Sequence, residues 1–153
     1  SETKSPLQSL LRLPQIDNYT PDSHRFVNHR DKTKKVFYKM LKEAPRDRGI
    51  VGEERAIYGI KKRNVVVLDP QLPSRTITSI PDDFIHYSEP RVMTVRECAR
   101  IQTFPDWFEF KGKYTSGGDR RKKEVPRYTQ VGNAVPPLFA EQLGLAIKAI
   151  LSK

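Results

Sequence analysis

Two stretches decide what this chain can fold into: residues 91–108, RVMTVRECARIQTFPDWF, and residues 130–137, QVGNAVPP. In the first, Thr94 and Glu97 stand in the S/T-x-x-E relation of a capping box, in which each side chain accepts a hydrogen bond from a backbone N–H at a helix start. The sequence therefore predicts a helix that opens at Thr94 and ends before Pro105. The second stretch predicts a strand or loop leading into a helix near Pro136, because proline is favoured in a first helical turn. Within it, Gly132 allows the backbone to turn tightly or to approach a ligand closely.

The rest of the chain predicts helices mixed with short strands. Asp31 is placed to cap a helix over residues 31–43, whose apolar side chains share one face: Val36, Phe37, Met40 and Leu41. Runs rich in β-branched residues predict strands at 57–60, 65–68 and 75–80. The last helix should run to about residue 151, with an apolar stripe formed by Phe139, Leu143, Ala146, Ile147 and Ile150. These elements indicate a small α+β domain with short strands, followed by a C-terminal helix.

Size and composition limit the class of protein. The chain has 153 residues, 37% hydrophobic content, 12 prolines and a mean hydropathy of −0.64, which predicts one domain by length with much irregular chain. No run approaches 18 apolar residues and the N-terminus lacks a signal-peptide pattern, so we expect an intracellular protein without a membrane span. A single cysteine excludes an internal disulfide and a cysteine-based zinc cluster.

The positive charge is concentrated in two blocks. The net charge is +10, residues 25–63 hold 13 Lys and Arg against 5 Asp and Glu, and residues 111–127 hold 7 against 2. Such clustering is typical of a phosphate-binding surface, although solvated lysines would give the same counts. From the residues alone, we predict phosphate contacts in a turn and in a loop: Lys61, Lys62, Arg63, Arg120, Arg121, Lys122 and Lys123.

The two stretches resemble the ninth and tenth conserved motifs of the DNA (cytosine-5) methyltransferases. The resemblance covers about residues 25–151 and is tightest from residue 73 onward. It implies that the ninth motif organises a target-recognition domain that reads duplex DNA while the target cytosine is flipped out. It also implies that the tenth motif's helix packs on a Rossmann-like catalytic domain and helps to shape the S-adenosylmethionine site. The residues implied at the cofactor pocket are Gln130, Gly132, Asn133, Ala134 and Val135, and those implied near the DNA backbone are Arg75, Thr76 and Thr78.

The catalytic motifs of that family do not occur in these residues. The family nucleophile is the cysteine of a Pro-Cys-Gln loop, and this sequence has no Pro-Cys dipeptide. The Phe-x-Gly-x-Gly, Glu-Asn-Val and Gln-x-Arg-x-Arg blocks do not occur either. The resemblance therefore implies a partner subunit or an N-terminal region that carries catalysis, so that this chain is not active alone. A split restriction-modification enzyme and a fragment of a longer one both remain open.

Other reactive side chains have structural interpretations. Cys98 is expected to be a buried apolar residue of its helix. The three histidines are too scattered to indicate a metal site, and Asp82-Asp83 indicates a turn. Arg96 and Arg100 could pair with Glu97 or Asp106 within the domain or could contact phosphates, and we favour the structural role.

We therefore expect three parts: an extended arm at residues 1–23, a target-recognition domain at 24–129, and the tenth motif with its C-terminal helix at 130–153. The expected function is the DNA-binding portion of a cytosine-5 methyltransferase in the bacterial cytosol or nucleoid, with S-adenosylmethionine shared with the catalytic portion. The alternative is a stand-alone, non-catalytic DNA-binding or regulatory module. RNA binding is weaker, because no cluster of aromatic side chains provides a stacking platform.

Overall fold

The structure is a computed structural model that describes residues 5–12, 20–62, 64–115 and 123–152. In chain order, the elements are α1 (Pro6–Leu11), α2 (Asp31–Glu43), α3 (Glu54–Ile57), β1 (Val66–Val67), a 3-10 turn (Pro81–Asp83), β2 (Phe84–Ile85), α4 (Val95–Ile101), α5 (Arg127–Asn133) and α6 (Pro137–Leu151). The short helices and strands confirm the predicted α+β class.

A short parallel sheet separates two hydrophobic clusters. Val66 pairs with Phe84 and Val67 with Ile85. Because successive side chains of a strand point to opposite faces, Val66 and Phe84 face one cluster while Val67 and Ile85 face the other. The first cluster continues into α4 and α5, and the second is completed by α2. The predicted strand at 65–68 is thus confirmed in its central two residues.

Helix α2 covers the second cluster as predicted. Met40 is fully buried in that cluster, and Val36, Phe37 and Leu41 pack against it. Contrary to the prediction from the sequence, Asp31 does not cap the helix. It is the first helical residue, and Arg30 occupies the cap position. A carboxylate in the first turn still stabilises the helix through its dipole.

Two of the predicted strands are wrong. Residue 57 ends α3, and the chain then turns at Gly59, whose φ of +63° is incompatible with a strand. Residues 75–80 are not assigned to a strand either, because the β1–β2 ladder does not include them. Only Ile77 of this stretch is buried. The sequence of residues 75–80 thus alternates between polar and apolar residues although the stretch does not pair with a strand.

The start of the second signature stretch is helical, which corrects the prediction of a strand or loop. Residues 130–133 lie in α5, and the chain leaves the helix at Ala134 in an extended conformation (φ −77°, ψ 146°). Helix α6 then begins at Pro137, close to the predicted start, and ends at Leu151 as predicted. We call residues 134–136 between the two helices the corner.

The stretch from Arg127 to Leu151 is long and apolar enough to pass a simple length and composition test for a membrane-crossing helix. It is not one helix, however, because the corner interrupts it, and Tyr128 and Val131 of α5 are buried in the protein core.

Candidate functional site

The capping box at Thr94 is present as predicted and is part of a larger polar cluster. The Thr94 Oγ1 accepts from the Glu97 amide at 3.1 Å, and the Glu97 Oε2 accepts from the Thr94 amide at 2.7 Å. The Arg91 guanidinium donates to both Glu97 oxygens, at 2.8 Å each. Burial alone would raise the pKa of Glu97, but the hydrogen bonds from Arg91 and Thr94 outweigh it and lower the pKa to about 2. The start of α4 is therefore fixed by a bidentate ion pair.

Arg96 has a structural role, because its side chain is fully buried. Its guanidinium donates to the backbone oxygens of Asp22 at 2.7 Å, Pro105 at 3.1 Å and Phe108 at 2.6 Å. A guanidinium with these buried partners does not reach a phosphate. The favoured structural interpretation is confirmed, although these three acceptors are backbone carbonyls and not the carboxylates of Glu97 or Asp106 that the sequence suggested.

Arg100 forms the ion pair that the sequence suggested. Its Nε and Nη2 donate to the two carboxylate oxygens of Asp106 at 2.8 Å each. Asp106 is buried, and its amide donates to the Leu11 carbonyl at 2.7 Å. This ion pair therefore connects the end of α4 to α1.

Asp22 and Ser23 connect the N-terminal part of the chain to α4 and α5. The Asp22 carboxylate accepts from Arg127 at 2.7 Å and from the Phe110 amide at 2.9 Å. Burial opposes ionisation of Asp22, but hydrogen bonds from Ser23, Phe110 and Arg127 lower its pKa overall. The Arg96 amide also donates to the Ser23 carbonyl at 3.1 Å. The sequence analysis did not find these contacts, because they join residues more than 70 positions apart.

Cys98 is a buried apolar residue, as predicted. It is 4% exposed within the first hydrophobic cluster. Burial, with a smaller effect of Glu97, raises the pKa of the Cys98 thiol to about 12. A thiol that stays protonated at neutral pH is a poor nucleophile.

The five residues proposed at a cofactor pocket lie together around the end of α5 and the corner. Asn133 and Val135 are exposed, whereas Gln130, Gly132 and Ala134 are half-buried. The Gln130 side-chain amide donates to the carbonyls of Lys111 and Val125 at 2.8 Å each.

Gly132 allows close contact between α5 and the backbone of residues 78–79. A Cβ at this position would lie 2.5 Å from the Thr78 carbonyl carbon and 2.6 Å from the Ser79 nitrogen. The sequence analysis expected a tight turn or a close approach to a ligand. The close approach in the structure is to the protein's own backbone.

The proposed DNA-contacting residues fall into two groups. Arg75, Thr76 and Thr78 line a shallow groove beside β1 and β2. Within it, the Arg75 guanidinium donates to the Asp47 carbonyl at 2.7 Å, and the Thr78 hydroxyl donates to the buried Asp83 carboxylate at 2.8 Å. Asp83 belongs to the 3-10 turn, which agrees with the turn predicted for Asp82-Asp83.

Lys61 and Lys62 lie at a separate cavity beside the start of α2. Both are exposed, and Lys62 forms an ion pair with Asp82. Lys123 is exposed as well. Four other candidates lie outside the described residues: Arg63, Arg120, Arg121 and Lys122.

Helix α6 presents apolar side chains to solvent. None of its residues is buried, and Phe139, Leu143, Ile147 and Ile150 are between 49% and 71% exposed. Its first turn continues into an apolar cavity, which Leu138 lines together with Trp107 and Leu10. Single exposed apolar residues are ordinary, but a contiguous apolar surface of this kind is typical of an interaction site.

Within the described ranges, no group of three or more His, Cys, Asp or Glu side chains converges on a point where a metal could bind. His86 is buried against Arg91 and Glu97. Burial and the nearby Arg91 charge lower its pKa despite the two neighbouring carboxylates.

Residues 8–149 match the family model described as C-5 cytosine-specific DNA methylase. The chain is similar to the type II methyltransferase M.AquIB of Picosynechococcus sp. (strain ATCC 27264 / PCC 7002 / PR-6), with 46% identity over 102 residues, which cover 65% of this chain and 70% of that protein. It is also similar to the type II methyltransferase M.DdeI of Desulfomicrobium norvegicum, with 45% identity over 75 residues (48% of this chain, 18% of the relative). The mouse DNA (cytosine-5)-methyltransferase 1 is 45% identical over 67 residues, which are 44% of this chain and 4% of the relative. The chain thus spans most of one relative and a small part of the others.

Proposed function

The chain belongs to the C-5 cytosine-specific DNA methylase family, and we propose that it is the DNA-binding, target-recognition portion of such an enzyme. In this proposal, the catalytic motifs lie on a partner subunit or on an N-terminal region of the same polypeptide. Residues 24–129 form the recognition domain, and residues 130–153 connect it to the catalytic portion. Residues 1–23 form an arm.

The observation that carries the proposal is the contrast between the buried cysteine and the exposed helix α6. Methylation of cytosine at C5 by this family needs a reactive cysteine thiol, and the one cysteine of this sequence is buried with a raised pKa. Helix α6, in contrast, exposes its apolar side chains, as we expect if another protein surface covers them. These two features favour a chain that completes a catalytic portion over one that acts by itself.

The distribution of charge supports duplex DNA as the substrate. The net charge of +10 and the exposed Lys61, Lys62 and Arg75 suit a surface that contacts phosphates. We propose that Thr76, Thr78 and the basic residues 63 and 120–123 provide further contacts to the DNA backbone. The base-reading residues would lie in the loops near residues 46–64, beside the same surface.

We propose that the corner forms one wall of the S-adenosylmethionine site. S-adenosylmethionine would supply the methyl group, and the exposed Asn133 offers a hydrogen-bond donor and acceptor for it. Val135 and Ala134 offer apolar contact to the cofactor. Gln130 and Gly132 would act by holding this wall in place, because the first donates to the carbonyls of Lys111 and Val125 and the second is packed on residues 78–79.

The experiment combines this chain with the methyltransferase polypeptide encoded immediately upstream and measures transfer of a labelled methyl group to duplex DNA. We expect no transfer by either component alone, transfer by the mixture, and unchanged transfer with Cys98→Ala. The chain alone should bind a mixed-sequence duplex less tightly as salt is raised. Lys61→Ala and Lys62→Ala should each reduce the salt slope by about 1, whereas Lys148→Ala on α6 should not.

Two results would contradict the proposal. Methyl transfer by the chain alone that survives Cys98→Ala would show that catalysis does not need a separate portion. Salt-dependent DNA binding with no methyl transfer in the mixture would favour the alternative, a stand-alone DNA-binding or regulatory module.

A further inference from the structure

The two signature stretches meet at the end of α4. The Gln102 side-chain nitrogen donates to the carbonyls of Val131 at 3.2 Å and Ala134 at 3.4 Å. The next residue, Thr103, accepts a hydrogen bond at its Oγ1 from the Leu138 amide at 3.1 Å. Consecutive residues of the first stretch therefore contact the end of α5 and the beginning of α6.

These hydrogen bonds lie at helix ends, where a helix supplies few partners of its own for the backbone. At the end of α5, the Val131 carbonyl accepts from the Ala134 amide at 3.2 Å, and Gln102 adds a second donor to it and a donor to the Ala134 carbonyl. At the start of α6, Pro136 and Pro137 have no N–H, and Pro136 provides no side-chain cap. The amide of Leu138 is therefore the first N–H of this helix. It donates to the hydroxyl of Thr103, which follows the end of α4.

Thr103 follows the end of α4 in a left-handed conformation, with a φ of +64°. The end of the helix itself accounts for this conformation. The Phe104 amide donates to the Ala99 carbonyl at 2.8 Å, and the Thr103 amide donates to the Arg100 carbonyl at 3.0 Å, which are the two bonds of a Schellman motif. Glycine is the usual residue at this position, and the threonine found here places its hydroxyl against the first turn of α6.

We propose that Gln102 and Thr103 are positioning residues that set the direction in which α6 leaves the recognition domain. Helix α6 has no buried residue, so its orientation depends on contacts at its first turn and at the corner. Through that orientation, the two residues determine how Asn133 and Val135 meet the cofactor and how the apolar face of α6 meets the catalytic portion. This inference rests on the proposed function, and it explains why the two stretches occur together.

The decisive variant is Thr103→Val, which keeps the β-branched shape and removes the hydroxyl. In the assembled enzyme, the KM for S-adenosylmethionine should rise about three- to tenfold, which is the change that loss of one such hydrogen bond produces. The kcat and the affinity of the isolated chain for duplex DNA should stay within about twofold. Thr103→Ser, which keeps the hydroxyl, should restore the KM, and Thr33→Val on α2 is the matched control.

A second measurement uses the isolated chain and does not depend on methyl transfer. By NMR, Thr103→Val should speed hydrogen exchange of the Leu138 amide about tenfold and should change the residual dipolar couplings of α6 relative to those of α4. Gln102→Leu should change the couplings of α6 in the same way. The amides of α4 should be unaffected in both variants.

The two proposals fail in different ways. An inactive wild-type mixture contradicts the proposed function, while the exchange at Leu138 still decides the positioning role. Unchanged exchange and couplings in Thr103→Val overturn the positioning role, whatever the methyl-transfer result. A parallel loss of kcat, DNA affinity and stability that Thr103→Ser does not restore would also overturn it, because that pattern indicates a general structural role.

Discussion

Helices α4 and α6 differ in the side chains that they bury. Helix α4 is seven residues long and buries an arginine, Arg96, together with Val95, Cys98 and Ala99. Helix α6 is 15 residues long, is rich in leucine and isoleucine, and buries none of its residues. Folded proteins usually place arginine at the surface and leucine inside. Helix α4 therefore packs within this chain, whereas the described residues leave α6 uncovered, as the proposed function requires.

The same difference appears in the way the two helices are stabilised. Helix α4 has a capping box at its start, a bidentate ion pair to Glu97 and apolar packing along one face. Helix α6 has two prolines and the Thr103 contact at its start, followed by four turns without burial. A helix of this length is only marginally stable in water without tertiary packing. We therefore expect its C-terminal turns to unfold locally before the rest of the domain.

The largest effect that tests this comparison is expected from Arg96→Met, which removes the guanidinium and keeps much of the apolar stem. The backbone oxygens of Asp22, Pro105 and Phe108 would then be left in the interior without this donor. Buried acceptors without partners cost about 1–3 kcal/mol each, so the free energy of unfolding should fall by at least about 3 kcal/mol. Urea denaturation followed by circular dichroism measures the change.

The matched control is Arg48→Met, at an exposed arginine that pairs with Glu54. Because exposed ion pairs contribute little, the free energy of unfolding of this variant should be nearly that of the wild type. Equal stability of Arg96→Met and Arg48→Met would show that the buried guanidinium does not hold the segment around Asp22 to α4.

The second effect concerns acid stability. Glu97 has a pKa of about 2 in the folded protein and an ordinary value of 4.5 when unfolded. The folded state therefore gains stability from its ionisation above pH 4.5, and this gain of about 3 kcal/mol is lost as the pH falls from 4.5 towards 2. Denaturation midpoints measured between pH 7 and pH 2 should fall steeply in this range.

The histidine next to this ion pair adds a smaller loss at higher pH. The pKa of His86 is lowered by burial and by Arg91, so the unfolded state binds more protons than the folded state just below pH 6.5. Stability should therefore decline first below pH 6.5 and then more steeply below 4.5.

In the variant Glu97→Gln, the steep loss of stability below pH 4.5 should become shallower. Glu141→Gln on α6 is the control and should leave this part of the profile unchanged. A profile that Glu97→Gln does not alter would contradict the assigned role of the ion pair.

Local patterns with a physical rule behind them were predictable from the sequence. The capping box at Thr94, the apolar face of α2, the burial of Cys98 and the exposed stripe of α6 each depend on residues within one or two turns. The two wrong strands show the limit of such patterns. Residues 57–60 and 75–80 have β-branched residues, but strand pairing also depends on a neighbouring strand that the local sequence does not specify.

The contacts around the candidate site depend on distant residues. Gly132 was identified as a place of close approach, but its neighbour is the backbone of residues 78–79, more than 50 positions away. The hydrogen bond between Thr103 and Leu138 carried no local signal, because it forms only when α4 and α6 are brought together. The left-handed φ of Thr103, in contrast, belongs to the cap at the end of α4. The basic residues were identified by charge alone, and charge does not specify which of them lie in one groove.

The smallest effect on stability, and the most direct test of the unpartnered helix, is expected from the double variant Leu143→Gln and Ile147→Gln. Both residues are about half exposed, so the free energy of unfolding of the isolated chain should change by no more than about 0.5 kcal/mol. Binding of a hydrophobic dye should nevertheless decrease, and the affinity for the catalytic portion should be lost, because the same side chains form the apolar face of α6.

The control variant is Val131→Ala, which should have the opposite pattern of effects. Val131 is fully buried in the first cluster, so this variant should lower stability without reducing dye binding. A large loss of stability in the glutamine variant would show that α6 packs on its own chain in solution, and the contrast between α4 and α6 would then disappear.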